Sequence, residues 1–418
     1  MAASVFTASS LSLSDLAAAP RPPLIGFAHY FGGLPDPRYR RARRYPLLSV
    51  LFILLCGLLA GADTPATIAR WAKTKRKWLR ERVELPPDKH GIHTTPSKQT
   101  LSRVLTRLDP VAFANCFQSW TEALHRKTEG EVLALDGKTV RHSFDTAVGS
   151  KAAHLVSVWA AANRLVLSQR QVEDHENEIV AIPDLLQRLD IGGCIVTIDA
   201  IGCQKEIAQQ ITSQGADFVL RLKDNHPHLC DSVEEYFTYW RSQDWKTEQD
   251  GEPIAHRFAQ TTGKGHGRIE VRKCWVVEDV PWLDLDQQWK GLRSIVAIEG
   301  ERINSRTGQR ISIETRYFLS SLSGENSARE ALRAVRLHWG IENRLHWCLD
   351  MVFREDESRT HKGHAPQNLA VMRKAAMNLF RQEKTQNLPL KAKRELAAWE
   401  TDYLETLLTG KPYLPDER

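Results

Sequence analysis

Three short apolar runs between Glu131 and Leu222 constrain this chain most: "VLALD", "CIVTID" and "DFVLRL". Each is too short for an ordinary helix and is bounded by turn or polar residues, so each reads as a buried strand. Between them lie "AHLVSVWAAANRLVLSQRQV", a hairpin pattern with its turn at Asn163 and Arg164, and two helical patterns, "NEIVAIPDLLQRLD" and "QKEIAQQITSQG". The order is strand, hairpin, helix, strand, helix, strand. Such alternation specifies a mixed α/β sheet.

Two of these runs close on an acid. Asp136 ends "VLALD" and Asp199 ends "CIVTID", and each is followed by a small residue, Gly137 or Ala200. Side chains there project at the C-terminal edge of the sheet, where α/β proteins place ligands. An Asp after a strand also begins turns and caps helices, so neither alone identifies a site. A third acid stands out in the helical stretch Ala331–Phe353. There Val335, Trp339, Glu342, His346, Leu349 and Phe353 recur at steps of four and three, a stripe expected to face the core. A buried ionised Glu342 costs several kcal/mol unless it is paired or binds metal. Three converging carboxylates would raise one another's pKa. A divalent ion relieves this. Mg²⁺ prefers oxygen ligands, and a pair of such ions serves in-line attack at a phosphodiester.

The remaining texture suggests further segments. The chain has 418 residues and a net charge of +6. From Asp36 to Val83 there are nine Arg and three Lys against two Asp and one Glu, a balance of +9 that leaves −3 for the rest. A basic block on a near-neutral protein points to a polyanion, most often nucleic acid; a solvated helix face is the bland alternative. The candidate contacts are Arg40, Arg41, Arg43, Arg44, Lys73, Arg76, Lys77 and Arg80, the last four expected on one face of a long basic helix that begins at Pro65. The uncharged run Pro46–Ala62 is at the lower limit for a bilayer span, but no second such run follows, so a buried core helix is the expectation, not a membrane protein. Seven scattered cysteines without a C-x-x-C pair fit a reducing compartment and the cytoplasm. His226, His228 and Cys230 in "DNHPHLCD" read as a polar turn before a helix rather than a metal site.

These readings divide the chain into a disordered tail (1–25), a basic helical region (26–125), a core (130–240 and 317–381), an inserted β-rich region (241–316) and a charged, peripheral end (382–418). The Gly-punctuated β runs from "HRFAQTTGKG" to "RISIETRYFLSSL" mark the insertion, with "YFLSSL" expected to return to the sheet.

Taken together, "LALDGKTVRHS", "VTIDAIGCQKEIA", "GADFVLRLKDN", "GHGRIEVR" and "RLHWGIENRLHWCLDMVFREDESR" resemble the DDE transposases of bacterial insertion sequences, in particular the H-repeat-associated branch. The resemblance runs from about Gly26 to Arg381, and "GLPDPRYRRARRYPLLSVLFILLCGLLAGA" is similar to the family's N-terminal associated region. It implies an RNase H-like fold with an insertion between the second Asp and the Glu. It also implies Mg²⁺- or Mn²⁺-dependent cutting and joining of double-stranded DNA at element ends and target, by a homo-oligomer. Asp136, Asp199 and Glu342 match the three catalytic, metal-binding carboxylates.

The sequence also departs from the family pattern. Related transposases carry Tyr, Arg and Lys around the Glu where this chain has Val335, His338 and Leu349. His338, Arg336 or Arg344 would then position phosphates. Asp350, Glu355 and Asp356 are near enough that another helix register would promote Asp350. A metal-dependent nuclease of the same fold and a DNA-binding protein without catalysis stand as alternatives.

Overall fold

The computed structural model describes residues 23–246, 255–265, 267–278, 280 and 289–410. Most of the expected tail, residues 1–22, lies outside them. The alternating runs form strands as read: β1 (Val132–Thr139), β2 (His154–Ala160), β3 (Leu165–Val172), β4 (Ile195–Ile198) and β5 (Asp217–Leu222). β2 and β3 make the hairpin, and Arg164 in its turn takes a left-handed φ of 56°. Four more strands follow, β6 (Arg257–Gly265), β7 (Arg268–Val277), β8 (Ser294–Asn304) and β9 (Arg310–Ser320). All nine join one mixed sheet in the order β3-β2-β1-β4-β5-β9-β8-β7-β6. β1, β4 and β5 are parallel to one another, and the other pairs are antiparallel. The β-rich region therefore extends the central sheet, because Tyr317–Ser320 of β9 pair directly with β5.

Amino-terminal helices α1 (Pro23–Phe31), α2 (Leu47–Leu59), α3 (Pro65–Thr74), α4 (Arg76–Arg80), α5 (Lys98–Arg107) and α6 (Pro110–Leu124) precede the sheet. Their starts follow local chemistry. Thr64 and Thr67 cap α3 reciprocally with Pro65 in its first turn, Ser97 caps α5, and Asp109 caps α6 ahead of Pro110. The apolar run Leu47–Leu59 has 12 of its 13 residues buried. Arg40–Leu59 is the one stretch among the described residues apolar and long enough to cross a membrane, yet most of it is covered by protein. Gly57 lets α2 and α3 close up: a Cβ there would be 2.8 Å from Ile68. The long basic helix expected from Pro65 breaks at Lys75, and beyond the break Trp78 stacks on Phe52 of α2 and Leu79 is buried. Lys73 is consequently on a different helix from Arg76, Lys77 and Arg80.

Helices α7 (Glu178–Gln187), α8 (Lys205–Ser213) and α9 (Pro227–Ser242) cover one face of the sheet. The other face meets α10 (Ser327–Gly340), α11 (Trp347–Met351) and α12 (Ala365–Gln382). Both faces of β1 are apolar as strand alternation requires, with Val132 and Ala134 in one core and Leu133 and Leu135 in the other. Buried amides fix α12. Asn368 donates to the carbonyls of Leu105 and Leu108 at 2.8 and 2.9 Å, and Asn378 takes both backbone groups of Val166 at the sheet's edge. The expected peripheral end instead forms α13 (Leu390–Trp399) and α14 (Thr401–Thr409). Tyr403, Leu404, Leu407 and Leu408 recur at helical spacing and enter the core, while Arg394 donates to the Leu58 carbonyl at 3.0 Å. One continuous core thus joins the amino-terminal helices, α10–α14 and one sheet face.

Candidate active site

Register explains how two of the acids meet. The parallel ladder between β1 and β4 ends at Leu135 opposite Ile198, so Asp136 and Asp199 are the next residue on each strand. By alternation they share the face of Ala134 and Thr197, over which α10 lies. β4 stops there and turns away through a 3₁₀ turn at Ala200–Gly202. β1 does not end at Asp136 as expected: it runs on to Thr139 against β2, with Asp136 opposite Ser157. The neighbouring Gly137 is required by the other face, where a Cβ would be 2.1 Å from Oε1 of Glu178. That carboxylate lies 2.6 Å from Nε2 of His154.

The third acid arrives by a different route from the one its spacing suggests. After α10 the chain forms a π-helical turn, Ile341–His346, before α11. The wider i→i+5 turn shifts the register. Ile341, Leu345, Leu349 and Phe353 face inward, while Trp339 is 39% exposed and Glu342 is also exposed. Glu342 is therefore not an ion enclosed in a core. It stands at a notch of about 50 Å³, lined also by Asp199, Thr197, Arg221, Arg316, His338 and Trp339.

The charges of the three acids are coupled. Burial raises the Asp136 carboxyl to about 7, and the charges of Glu178, Glu342 and Asp199 add to the rise, against a 2.9 Å hydrogen bond from the Gly137 amide. Burial and Asp199 likewise raise Glu342, opposed by Arg316 and Arg221. For Asp199 burial acts upward but is outweighed by the Ala200 amide and by Arg221, whose Nη1 is 3.1 Å from its Oδ1, so its pKa falls below the ordinary value. Nδ1 of His346 lies 3.5 Å from Oδ2 of Asp136, and burial holds that imidazole down to about 3. It stands beside Asp136 as a neutral ring.

The other acids have partners. Lys138 Nζ is 2.7 Å from Asp350, 3.0 Å from Asp356 and 3.6 Å from Glu355, and Glu355 also faces buried Arg373 at 3.5 Å. This cluster ties β1, two residues beyond Asp136, to the segment after α11, and it answers why Asp350 does not join the site. Among the described residues no three His, Cys, Asp or Glu side chains stand close enough to hold a metal in their present positions. The donor chemistry is nevertheless three carboxylates at one edge, two of them raised by burial first and then by neighbouring carboxylates. His226 precedes the first residue of α9 without a side-chain capping bond, and its Nε2 approaches the Cys203 carbonyl at 2.7 Å, in keeping with a turn.

The expected phosphate contacts separate into groups. His338 does not fit the role of a cation: its Nδ1 is 2.9 Å from the Thr197 hydroxyl, and burial lowers it to about 4. Arg336 is exposed on α10 and lines grooves toward β6–β9, and Arg344 is exposed on the π turn. Arg40, Arg41, Arg43, Arg44, Lys73, Arg76, Lys77 and Arg80 are all exposed, though Arg43 donates to the carbonyls of Arg38 and Asp36 and Arg44 to that of Pro87. Sequence reasoning missed Arg221 and Arg316. Their signal was present: each is a lone cation within an apolar strand run, "FVLRL" and "TRYFL". His346 stood on the same stripe as Glu342, and Glu178 had no comparable mark.

The family model described as "Transposase DDE domain" matches residues 127–379, and that described as "DDE_Tnp_1-associated" matches residues 28–121. "Putative transposase YncI" of Escherichia coli O157:H7 is 34% identical over 382 residues, 91% of this chain and 94% of that protein. "H repeat-associated putative transposase YhhI" of Escherichia coli K12 is 33% identical over 380 residues, 90% of this chain and 96% of its own. An "Uncharacterized protein in dhlA 3'region" of Xanthobacter autotrophicus is 40% identical over 296 residues, 70% of this chain and 93% of its own. With sequence similarity at this level along nearly the whole chain, the protein belongs to the DDE transposase family, among the relatives of the H-repeat-associated transposases.

Proposed function

We propose that this protein is an active transposase that cuts and joins DNA strands, with Asp136, Asp199 and Glu342 as its catalytic carboxylates. The observation that carries the reading is the arrival of Asp136 and Asp199 side by side where the β1–β4 ladder ends, under the helical segment that brings Glu342, with the Asp136 carboxyl raised by burial first and in part by Glu342 and Asp199. The strand order β3-β2-β1-β4-β5, with a hairpin antiparallel to three parallel strands, supports an RNase H-like core.

The three carboxylates would hold Mg²⁺ or Mn²⁺, hard cations that suit an all-oxygen donor set. Such ions supply positive charge where the phosphodiester reacts. Exposed Glu342 must swing toward the two Asp residues to complete the set. Arg221 fixes Asp199 at 3.1 Å, and His346 aligns Asp136 from the buried side. Arg316, stacked 4.9 Å from the Trp339 ring, keeps a cation beside Glu342. In strand cleavage, water attacks phosphorus and the 3′-oxygen leaves as a hydroxyl; in joining, that 3′-hydroxyl attacks a target phosphate and displaces the target strand's own 3′-oxygen, which takes up the proton released. The test is a cleavage assay on DNA carrying the element's ends, comparing the natural protein with Asp199→Asn. Metal-dependent nicking that survives this change at full rate contradicts the assignment.

A further inference from the structure

Four cations meet where three elements converge, and among the described residues none of them forms an ion pair with an acid. Arg164 lies in the β2–β3 turn, Arg344 in the π turn two residues past Glu342, Arg381 in the last turn of α12, and Lys384 just beyond it. Hydrogen bonds impose this meeting. Asn378 holds Val166 by both backbone groups, at 3.0 and 2.9 Å, which sets the end of α12 beside the start of β3. One turn further on, Arg381 donates Nη2 to the Arg344 carbonyl at 3.2 Å and to Sγ of Cys348 at 3.4 Å.

None of the four forms an ion pair with an acid of the described residues; Glu383, beside Lys384, is taken by Lys393 at 2.7 Å. After burial, the charge of Arg164 depresses Arg344. Arg381 is lowered by burial and, against the raising effect of Cys348, by Arg164 and Arg344; Lys384 is lowered by burial, Lys393, Arg164 and Arg381, against the smaller raising effect of Glu383. Cations at a helix C-terminus can simply answer its carbonyls, and that accounts for Arg381 and Lys384. It does not account for Arg164 and Arg344, which come from other elements and add repulsion. A polyanion removes that repulsion. Arg164, Arg344 and Lys384 are exposed, beside Trp347 at 56% exposure, so the patch is open to a large ligand.

We propose that Arg164, Arg344, Arg381 and Lys384 form a cradle for successive phosphates of a nucleic-acid strand passing the site at Glu342. This rests on the transposase reading above. Arg381 acts as the inner member, holding the Arg344 backbone while the other three reach the phosphates.

The test uses the full-length protein and a duplex carrying the element's inverted repeat, with affinity measured against salt. Each lost phosphate contact lowers the slope of log affinity on log salt by about 0.9, so R164A/K384A is expected to lower it by roughly 1.8. Thermal stability should hold, since both side chains are exposed, and R164K/K384R should keep the slope. An unchanged slope in R164A/K384A, with metal-dependent nicking intact, overturns the cradle alone. A slope that falls as stated in a protein that never nicks DNA upholds the cradle and overturns the catalytic reading.

Discussion

Replacing Asp136 with Asn should stabilise the metal-free protein at neutral and higher pH while ending its catalysis. The carboxyl is raised from an ordinary 3.8 to about 7, by burial first and then by Glu178, Glu342 and Asp199. The side chain is 24% exposed, so solvent screens it only in part. Between pH 3.8 and 7 the folded state holds a proton that the unfolded state has lost. Stability from this group therefore declines as pH rises through that window and stays low above it. At ~1.4 kcal/mol per unit the full shift corresponds to roughly 4 kcal/mol; relaxation of exposed Glu342 reduces this to about 2. An Asn Oδ1 can still accept from the Gly137 amide, and its Nδ2 can donate to the neutral His346 ring. With about 2.1 cal/mol/K per residue over 418 residues, 2 kcal/mol is a Tm rise of ~2 °C. The assay is unfolding in EDTA at pH 5 and pH 8. The variant should gain at pH 8 and little at pH 5, and Mg²⁺ should stabilise the natural protein more than the variant. A variant less stable than the natural protein at pH 8 in EDTA refutes the reasoning.

Other consequences follow from the same geometry. Lys138→Met leaves Asp350, Glu355 and Asp356 without their shared cation, and should cost about 3 kcal/mol in denaturant unfolding because a buried charge loses its partner. Gly57→Ala should cost roughly 1–3 kcal/mol by overpacking against Ile68, read in the same assay. Because the amino-terminal helices share their core with α12, charge substitution is the fair test of their role in DNA binding: K73Q/R76Q/K77Q/R80Q should lower the salt slope by about 0.9 for every side chain that meets a phosphate, and an unchanged slope assigns them to solvent.

What the sequence disclosed follows the range of the physics. Strand-length apolar runs placed β1, β4 and β5, and the hairpin turn at Asn163 and Arg164, because those patterns are local. The helix start at Pro65 was equally local. The choice of Asp136 and Asp199 as neighbours followed from strand ends, although β1 outruns its acid by three residues because β2 continues to pair with it. The π turn was invisible: helix-forming residues suit both turn types, and tertiary packing of Ile341 and Leu345 selects the wider one. Its consequence was large, since it moves Glu342 out of the apolar stripe. Burial also reversed the expectation for His338, whose charge no sequence pattern could assign. The helices after Pro389 were read as a charged end because acids and bases are scattered through them, while the spacing of Tyr403, Leu404, Leu407 and Leu408 decides the packing.

The most direct test of the central claim is Mg²⁺-dependent cleavage of inverted-repeat DNA by Glu342→Gln, measured beside DNA binding by the same preparation. The amide keeps the size of an exposed side chain and removes only the charge that would complete the carboxylate set. The account predicts that cleavage falls by at least a thousandfold, about 4 kcal/mol or more of lost transition-state stabilisation, while affinity for DNA stays within a few-fold. Cleavage by the variant at near the natural rate would contradict it.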